Sequence, residues 1–270
     1  MNQSQPKSIV VGIDGSDAAI NAAKWAVPEA VSRDVPLRLL YVTRSERPAS
    51  PAAGLDLDME YAETALRTAA AAVHAMGKPV KVETAIAHGS PENALIGESR
   101  GAAMICVGSV GIGHLAQIVL GSTAAALARK AHCPVAIIRP AHQLSGSFWI
   151  AVVVNDSPDN DAVLAEGFRE ARLRDAPILA LGVWRWGVGE IPYSRLHRRL
   201  GRWVDRYPEV HVRPAAARAG AAEFLTRADE PVQLTVVGSA QAGEVARIVG
   251  PVGDSLLHRC PACSVLVVRS

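Results

Sequence analysis

The sequence predicts an α/β protein of two tandem domains, each with a five-stranded parallel sheet and helices on both faces. Three observations lead to this fold class. Short β-branched runs alternate with helical stretches along the chain, which is typical of parallel strands joined by helical crossovers. The second half of the chain repeats the order of the first. The chain has 270 residues, of which 49% are apolar and 20% charged, enough for two packed domains.

The repeat is visible in the residues themselves. Arg33-Asp34-Val35-Pro36-Leu37 reappears as Arg174-Asp175-Ala176-Pro177-Ile178, and Val107-Gly108-Ser109 reappears as Val237-Gly238-Ser239. The second copy is shorter, and we expect the loss in the loop around Arg44–Leu57. A repeat this long indicates domain duplication rather than a solenoid. We therefore predict one domain over residues 1–142 and a second over residues 147–270.

The elements of the first copy follow in order from local patterns. Ser8–Ile13 is an uninterrupted β-branched run, as expected of a strand buried on both faces. Asp17–Ser32 spaces its apolar residues at a helical period, and Pro91 suits the first turn of a helix. The other strands are predicted at Leu37–Val42, Val80–Ala87, Met104–Val107 and Val135–Ile138, and the other helices at Met59–Met76, Pro91–Ser99 and Ser122–Lys130.

The second copy is predicted to follow the same order. Its strands are expected at Ile150–Val154, Ile178–Val183, Val210–Pro214, Leu234–Val237 and Val265–Val268, and its helices at Pro158–Arg172, Arg195–Tyr207, Ala221–Ala228 and Gly253–Arg259. The second of these helices carries five arginines and a histidine between apolar residues at helical spacing. This pattern favours an amphipathic helix with a solvated basic face, and the alternative is a site for an acidic partner.

Charge and hydropathy exclude several classes of protein. The net charge is +2, from 28 basic and 26 acidic residues, and no long run of one sign occurs. That balance argues against a dedicated nucleic-acid or membrane-surface binder. No apolar stretch approaches the roughly 20 residues of a membrane span, and the first residues lack the apolar core of a signal peptide. We expect a cytoplasmic protein with no nucleic-acid or membrane partner.

Unusual residues follow three predicted strands of the first copy. The first strand ends in Asp14-Gly15-Ser16, the second at Val42-Thr43 and the fourth in the glycine-rich segment Gly108–Gly113, while Gly121-Ser122-Thr123 opens a helix. Ligands of open parallel sheets bind past the carboxyl ends of the strands. Successive glycines and a helix N-terminus both present N–H groups to anions, so these segments suit a polyphosphate. Asp14 can accept hydrogen bonds from a ribose.

Each of these features, taken alone, is also ordinary turn chemistry. Glycine is common where strands end, and serine is common at helix N-termini. Four such features at the same edge of one sheet favour a ligand site over coincidence.

The spacing Gly108-x2-Gly111-x9-Gly121-Ser122 resembles the ATP-binding signature of the universal stress protein family, G-x2-G-x9-G-[S/T]. Val11–Ser16 resembles the opening strand of that family, and His132–Val135 resembles its run into the last strand. The resemblance covers the first copy and, more loosely, the second, and the tandem arrangement resembles mycobacterial members associated with hypoxia and dormancy. It implies Rossmann-like domains and a regulatory, non-enzymatic protein that binds an adenine nucleotide.

The resemblance also implies the ligand and its contacts. ATP, with or without Mg²⁺, would meet Asp14 at the adenosine and the backbone of Val42 at the adenine. The segment from Gly108 to His114 would wrap the ribose and phosphates. The implied binding residues are Gly12, Asp14, Val42, Gly108, Ser109, Val110, Gly111, Ile112, Gly113, His114, Gly121, Ser122 and Thr123. No catalytic or metal-binding residue is implied.

The second copy departs from this pattern at several of the matching positions. Proline at 251, where the first copy has Ser122, removes a backbone N–H that a phosphate would need. Asp156 and Glu244 add negative charge near the corresponding site. We expect the second domain to keep the fold and to bind nucleotide weakly or not at all. The other departures are Val153, Asn155 and Gln241 in place of Gly12, Asp14 and Gly111.

Two rival functions stay open at this point. One is a slow ATPase or an adenylating enzyme, although the sequence has no G-x-x-x-x-G-K-[S/T] loop. The other is a structural pseudo-dimer that binds no nucleotide. For partners, we expect an adenine nucleotide, an unidentified protein and a second copy of the chain in a homodimer. Within one chain, we expect the apolar strands Val135–Ile138 and Val265–Val268 to pair antiparallel.

Overall fold

The computed structural model describes residues 7–43, 55–111, 120–139, 148–183, 192–218, 220–228, 230–250 and 263–269. The chain divides into two compact units, which we call unit 1 (Met1–Ala141) and unit 2 (His142–Ser270). Among the described residues, no helix is both long enough and apolar enough to cross a membrane.

Unit 1 contains a five-stranded sheet in the order β3-β2-β1-β4-β5, and its neighbouring strands run parallel. The order reverses between β1 and β4, so the carboxyl ends of these two strands flank a crevice. The elements are β1 (Ile9–Ile13), α1 (Asp17–Arg33), β2 (Leu37–Thr43), α2 (Leu55–His74), β3 (Val82–His88), α3 (Pro91–Glu98), β4 (Met104–Gly108), α4 (Ser122–Lys130) and β5 (Val135–Ile138).

Unit 2 repeats this topology, with the strand order β8-β7-β6-β9-β10 and parallel neighbours. The elements are β6 (Trp149–Val154), α5 (Asn160–Arg174), β7 (Ile178–Gly182), α6 (Pro192–Arg206), β8 (Val212–Ala216), α7 (Ala221–Arg227), β9 (Val232–Gly238), α8 (Val245–Val249) and β10 (Ser264–Val268). A 3-10 turn over Ser239–Glu244 precedes α8.

The fold class predicted from the sequence is confirmed. Consecutive residues of the central strands are buried, as in the five buried residues that end β6. Because side chains alternate between the two faces of a strand, both faces of the sheet are covered. The uninterrupted apolar runs that predicted the strands therefore have their origin in burial on two sides.

The repeated Arg-Asp-x-Pro segment has a structural explanation. In each unit it ends the first helix and leads into the second strand. Asp34 and Asp175 take left-handed backbone conformations, with φ of 52° and 50°, and their N–H groups cap the last turns of α1 and α5. One turn earlier, each helix buries a glutamate that pairs with the arginine four residues on, and the carboxylates are Glu29 and Glu170. The repeat therefore preserves a helix end rather than a binding site.

Some predicted elements differ from the structure at their ends. The second helix begins at Leu55 rather than Met59, and β8 covers Val212–Ala216 rather than Val210–Pro214. The sequence analysis missed the 3-10 turn and α8, which are too short to show a periodic pattern. The helix predicted at Gly253–Arg259 lies outside the described residues. The pairing of Val135–Ile138 with Val265–Val268 stays a prediction.

Candidate functional site

A cleft of about 500 Å³ opens at the carboxyl ends of β1, β2 and β4 in unit 1. It lies where the strand order reverses, which is the place expected for a ligand of an open parallel sheet. The strand ends, α2, α3 and the first turn of α4 all contribute side chains or backbone. The lining residues are Gly12, Ile13, Asp14, Ala19, Leu40, Tyr41, Val42, Thr43, Asp58, Pro91, Leu95, Val107, Gly108, Val110, Gly111, Gly121, Ser122, Thr123 and Ala124.

Most of the site residues predicted from the sequence therefore lie together in one cleft. The exception among the described residues is Ser109, which is completely buried and does not line the cleft. Ile112, Gly113 and His114 lie outside the described residues. Those that the structure brings together are Gly12, Asp14, Val42, Gly108, Val110, Gly111, Gly121, Ser122 and Thr123.

Hydrogen bonds to one carboxylate oxygen fix the Asp14 side chain, and the other oxygen can accept hydrogen bonds from a ligand. Its Oδ1 accepts hydrogen bonds from the backbone N–H of Ser16, at 2.9 Å, and from the Ser16 hydroxyl, at 2.6 Å. Its Oδ2 has no hydrogen-bond partner among the described residues and lies 2.6 Å from where a Cβ on Gly111 would stand. The cleft therefore contains a fixed acceptor beside a glycine that leaves room for it.

The first turn of α4 supplies hydrogen-bond donors at the other side of the cleft. Gly121 is the N-cap of this helix and has no side chain with which to cap the first N–H groups. Its own N–H donates to the Ser109 carbonyl at 2.8 Å, which fixes the start of the helix beside the end of β4. The N–H groups and hydroxyls of Ser122 and Thr123 are therefore available to an anion.

The physical reason for glycine differs between positions of the motif. A Cβ on Gly108 would lie 2.8 Å from the Cβ of Ala18 and 2.9 Å from its carbonyl carbon, so the close packing of α1 on β4 requires glycine there. A Cβ on Gly121 would have its nearest neighbour at 3.5 Å, an ordinary contact. The sequence analysis assigned Gly108 to the ligand alone and missed this packing role.

The described lining of the cleft is acidic. It includes the carboxylates of Asp14 and Asp58 and, among the described residues, no lysine, arginine or histidine. Burial raises the pKa of Tyr41, and the nearby charges of Tyr61, Asp14 and Asp58 raise it further. Sequence reasoning missed Tyr41, Asp58 and Tyr61. Two of these residues come from α2, which begins at Leu55, well after β2 ends at Thr43, and no local pattern connects them to the strand ends.

At the corresponding edge of unit 2, side chains of α6 contact the residues that follow the first strand of that unit. Arg195 pairs with Asp156, and Arg199 donates from Nη2 to the carbonyl oxygen of Asn155 at 2.9 Å. Part of the basic face of α6 that we predicted to be solvated thus contacts its own unit. Asp156, which we expected to add negative charge, is in an ion pair.

A model of the universal stress protein family matches residues 6–139. A universal stress protein of Mycobacterium tuberculosis is 51% identical over 268 residues, which cover 97% of this chain and 96% of the relative. Another from the same species is 42% identical over 275 residues, covering 99% of this chain and 98% of the relative. The crystal structure of a universal stress protein from Archaeoglobus fulgidus is 17% identical, covers 97% of this chain and 96% of that chain, and has the same fold with a TM-score of 0.69. The chain belongs to the universal stress protein family.

Proposed function

We propose that this protein is a non-catalytic regulatory protein that binds ATP in the cleft of unit 1. The observation that carries the proposal is that one cleft contains both Asp14, whose Oδ2 has no hydrogen-bond partner among the described residues, and the first turn of α4, whose N-cap Gly121 has no side chain. The first suits ribose hydroxyls and the second suits phosphate. A cleft of about 500 Å³ is within the usual range for small-molecule sites.

The motif resemblance supports the choice of ATP among anionic ligands. The spacing from Gly108 to Ser122 resembles the ATP-binding signature of the family, and the lining of the cleft includes Gly108, Val110, Gly111, Gly121 and Ser122 from that segment. Because the described lining contains two carboxylates, a triphosphate would gain from a Mg²⁺ bound to its own oxygens, which reduces its negative charge. The backbone dipoles of α4 would supply the remaining attraction.

The regulatory part of the proposal concerns what occupancy does. Nucleotide bound in unit 1 would change the conformation of a surface that a protein partner recognises. This regulation would belong to the response to stress, in hypoxia or dormancy. Unit 2 would be a second domain of the same family that has lost its nucleotide site. Assembly into a homodimer belongs to the same proposal, and the family resemblance supports it.

Isothermal titration calorimetry of the full chain with ATP and Mg²⁺ tests the proposal. We expect close to one ATP per chain. Ser122→Pro is the informative variant, because proline is tolerated at the first position of a helix but removes the N–H. We expect roughly tenfold weaker ATP binding for this variant, the effect of losing one charge-assisted hydrogen bond. Ser122→Ala keeps the N–H and is the matched control for the hydroxyl.

Three results would contradict the proposal. Unchanged ATP affinity in a folded Ser122→Pro variant would exclude the first turn of α4 as the phosphate site. Two ATP molecules per chain would show that unit 2 also binds. Sustained release of inorganic phosphate from saturating ATP would make the protein an ATPase.

A further inference from the structure

We propose that Tyr61, on α2, is a positioning residue of this site: it holds the turn that presents Asp14 to the ligand. The inference rests on the proposed function, since it concerns how the cleft of unit 1 binds a ribose. Tyr61 is not part of the glycine motif and does not line the cleft itself. Its action would pass through Asp14.

The hydroxyl of Tyr61 reaches the exit of the first strand. It donates to the backbone carbonyl oxygen of Asp14 at 3.4 Å. The same hydroxyl oxygen lies 2.6 Å from where a Cβ on Gly15 would stand, and Gly15 has φ of +86°. Glycine at this position therefore serves two purposes, because it adopts the left-handed turn and it admits the tyrosine hydroxyl. Since Asp14 and Gly15 are adjacent, this contact holds the peptide bond next to the Cα that carries the Asp14 carboxylate.

The ring of Tyr61 connects the same helix to the second strand. It packs edge-to-face on Tyr41, with ring centroids 6.1 Å apart and an angle of 70° between the planes. Tyr41 lines the cleft. Tyr61 therefore contacts the exits of β1 and β2 at once, which are the two strand ends assigned to the nucleoside. A tyrosine at this position fixes their separation as well as the turn at Asp14.

Unit 2 provides an independent instance of the same contact. Arg199 lies on α6, the second helix of unit 2 as α2 is of unit 1, and donates to the carbonyl oxygen of Asn155 at 2.9 Å. Asn155 replaces Asp14 in the repeat. Two different side chains thus bind the equivalent carbonyl from the equivalent helix. Support of this turn therefore depends on a position on the second helix rather than on one residue type. In unit 1 the donor is neutral, and the described residues that line the cleft provide no cation for the adjacent Asp14 carboxylate.

The test compares two ligands in titrations of the full chain. Tyr61→Phe removes the hydroxyl and keeps the ring. We expect ATP to bind roughly three- to tenfold more weakly, the effect of one lost neutral hydrogen bond. We expect the affinity for 2′,3′-dideoxyATP to stay the same, because this ligand has no ribose hydroxyl for Asp14 to accept. A general loosening of the fold would weaken both ligands equally.

Tyr193→Phe is the matched control. Tyr193 is 46% exposed, against 47% for Tyr61, and it lies on α6 in unit 2. We expect this variant to bind both ligands like the wild type. Because Tyr61 is half exposed, Tyr61→Phe should fold, and thermal unfolding of both variants checks this.

Asp14→Ala separates failure of this inference from failure of the proposed function. If Asp14→Ala binds ATP as the wild type does, or if the wild type does not bind ATP, the proposed site is wrong. If Asp14→Ala weakens ATP but Tyr61→Phe does not, only the role of Tyr61 is wrong. Equal losses for ATP and dideoxyATP in Tyr61→Phe would also overturn that role.

Discussion

The first strands of the two units leave the sheet through the same turn. Asp14 Oδ1 accepts hydrogen bonds from the N–H and hydroxyl of Ser16, at 2.9 and 2.6 Å. Asn155 Oδ1 accepts the same pair from Ser157, at 2.9 and 2.8 Å. An aspartate and an asparagine serve this turn equally well because both supply one acceptor oxygen.

The difference lies in the second polar atom and its surroundings. Asp14 keeps a carboxylate oxygen beside Gly111, whereas the second polar atom of the Asn155 side chain is an amide nitrogen, which donates rather than accepts. In unit 2 the residue that replaces Gly111 is Gln241, whose Oε1 lies 3.3 Å from where a Cβ on Gly238 would stand. The comparison teaches that the duplicated backbone is compatible with either outcome. The side chains above the strand ends differ, and in unit 2 Arg195 and Arg199 contact the edge that forms the cleft in unit 1.

The largest expected effect tests the space that Gly111 leaves for Asp14. In Gly111→Ala the new Cβ would lie 2.6 Å from Asp14 Oδ2, so the carboxylate must move. We expect ATP to bind roughly tenfold more weakly or worse, because a charge-assisted hydrogen bond is lost. Titration calorimetry measures the effect. Gly243→Ala is the control, since a Cβ on Gly243 meets no atom of the described part of the chain within 4 Å.

Unchanged affinity in Gly111→Ala would mean that Asp14 does not contact the ligand. An equal loss in Gly243→Ala would mean that unit 2 contributes to binding. Either result would remove the asymmetry between the two units.

A second expected effect concerns the stability of the fold rather than binding. In Gly108→Ala the new Cβ would lie 2.8 Å from Ala18 Cβ and 2.9 Å from the Ala18 carbonyl carbon, and this backbone cannot yield cheaply. In Gly238→Ala, the nearest atoms are side-chain atoms of Asp159, Gln241 and Val163 at 3.3 Å. We expect Gly108→Ala to lower the free energy of unfolding by about 1–3 kcal/mol, as overpacking does, and Gly238→Ala by less. Urea unfolding midpoints compare the two variants, and equal shifts would show that α1 does not press on β4 as the structure indicates.

The strands and helix starts that form the site could be predicted from the sequence better than the contacts between those elements. The first strand and the start of α4 at Ser122 follow from local patterns, because a β-branched run and a glycine-capped helix start are short-range signals. The need for glycine at 108 cannot be predicted from local patterns, because it depends on how closely Ala18 of α1 approaches β4. Tyr61 and Arg199 were also missed as supports of the turn, because only the folded chain brings the second helix of each unit to the first strand.

The smallest expected effect concerns the edge strands β3 and β8, whose second residues are Glu83 and Arg213. Glu83 pairs with Lys81 at the surface, with side chains 41% and 73% exposed. Arg213 pairs with Glu230, which is 21% exposed, and also lies over the ring of Trp149, 4.9 Å from its centroid. We therefore expect Arg213→Ala to lower the free energy of unfolding at pH 7 by up to about 1 kcal/mol, and Lys81→Ala by almost nothing.

The pH dependence of that effect identifies its source. The hydrogen bond from Arg213 holds the pKa of the Glu230 carboxyl below its usual 4.5. A carboxyl whose pKa is lower in the folded state contributes stability above its unfolded pKa and loses it as the pH falls through the folded value. The gap between wild type and Arg213→Ala should therefore be widest at neutral pH and narrow below pH 4.5, where a remainder reflects the contact with Trp149. Urea unfolding at neutral and acidic pH measures it. A gap that stays constant with pH would assign the whole effect to the packing of Arg213 on the tryptophan ring, and the ion pair would contribute nothing.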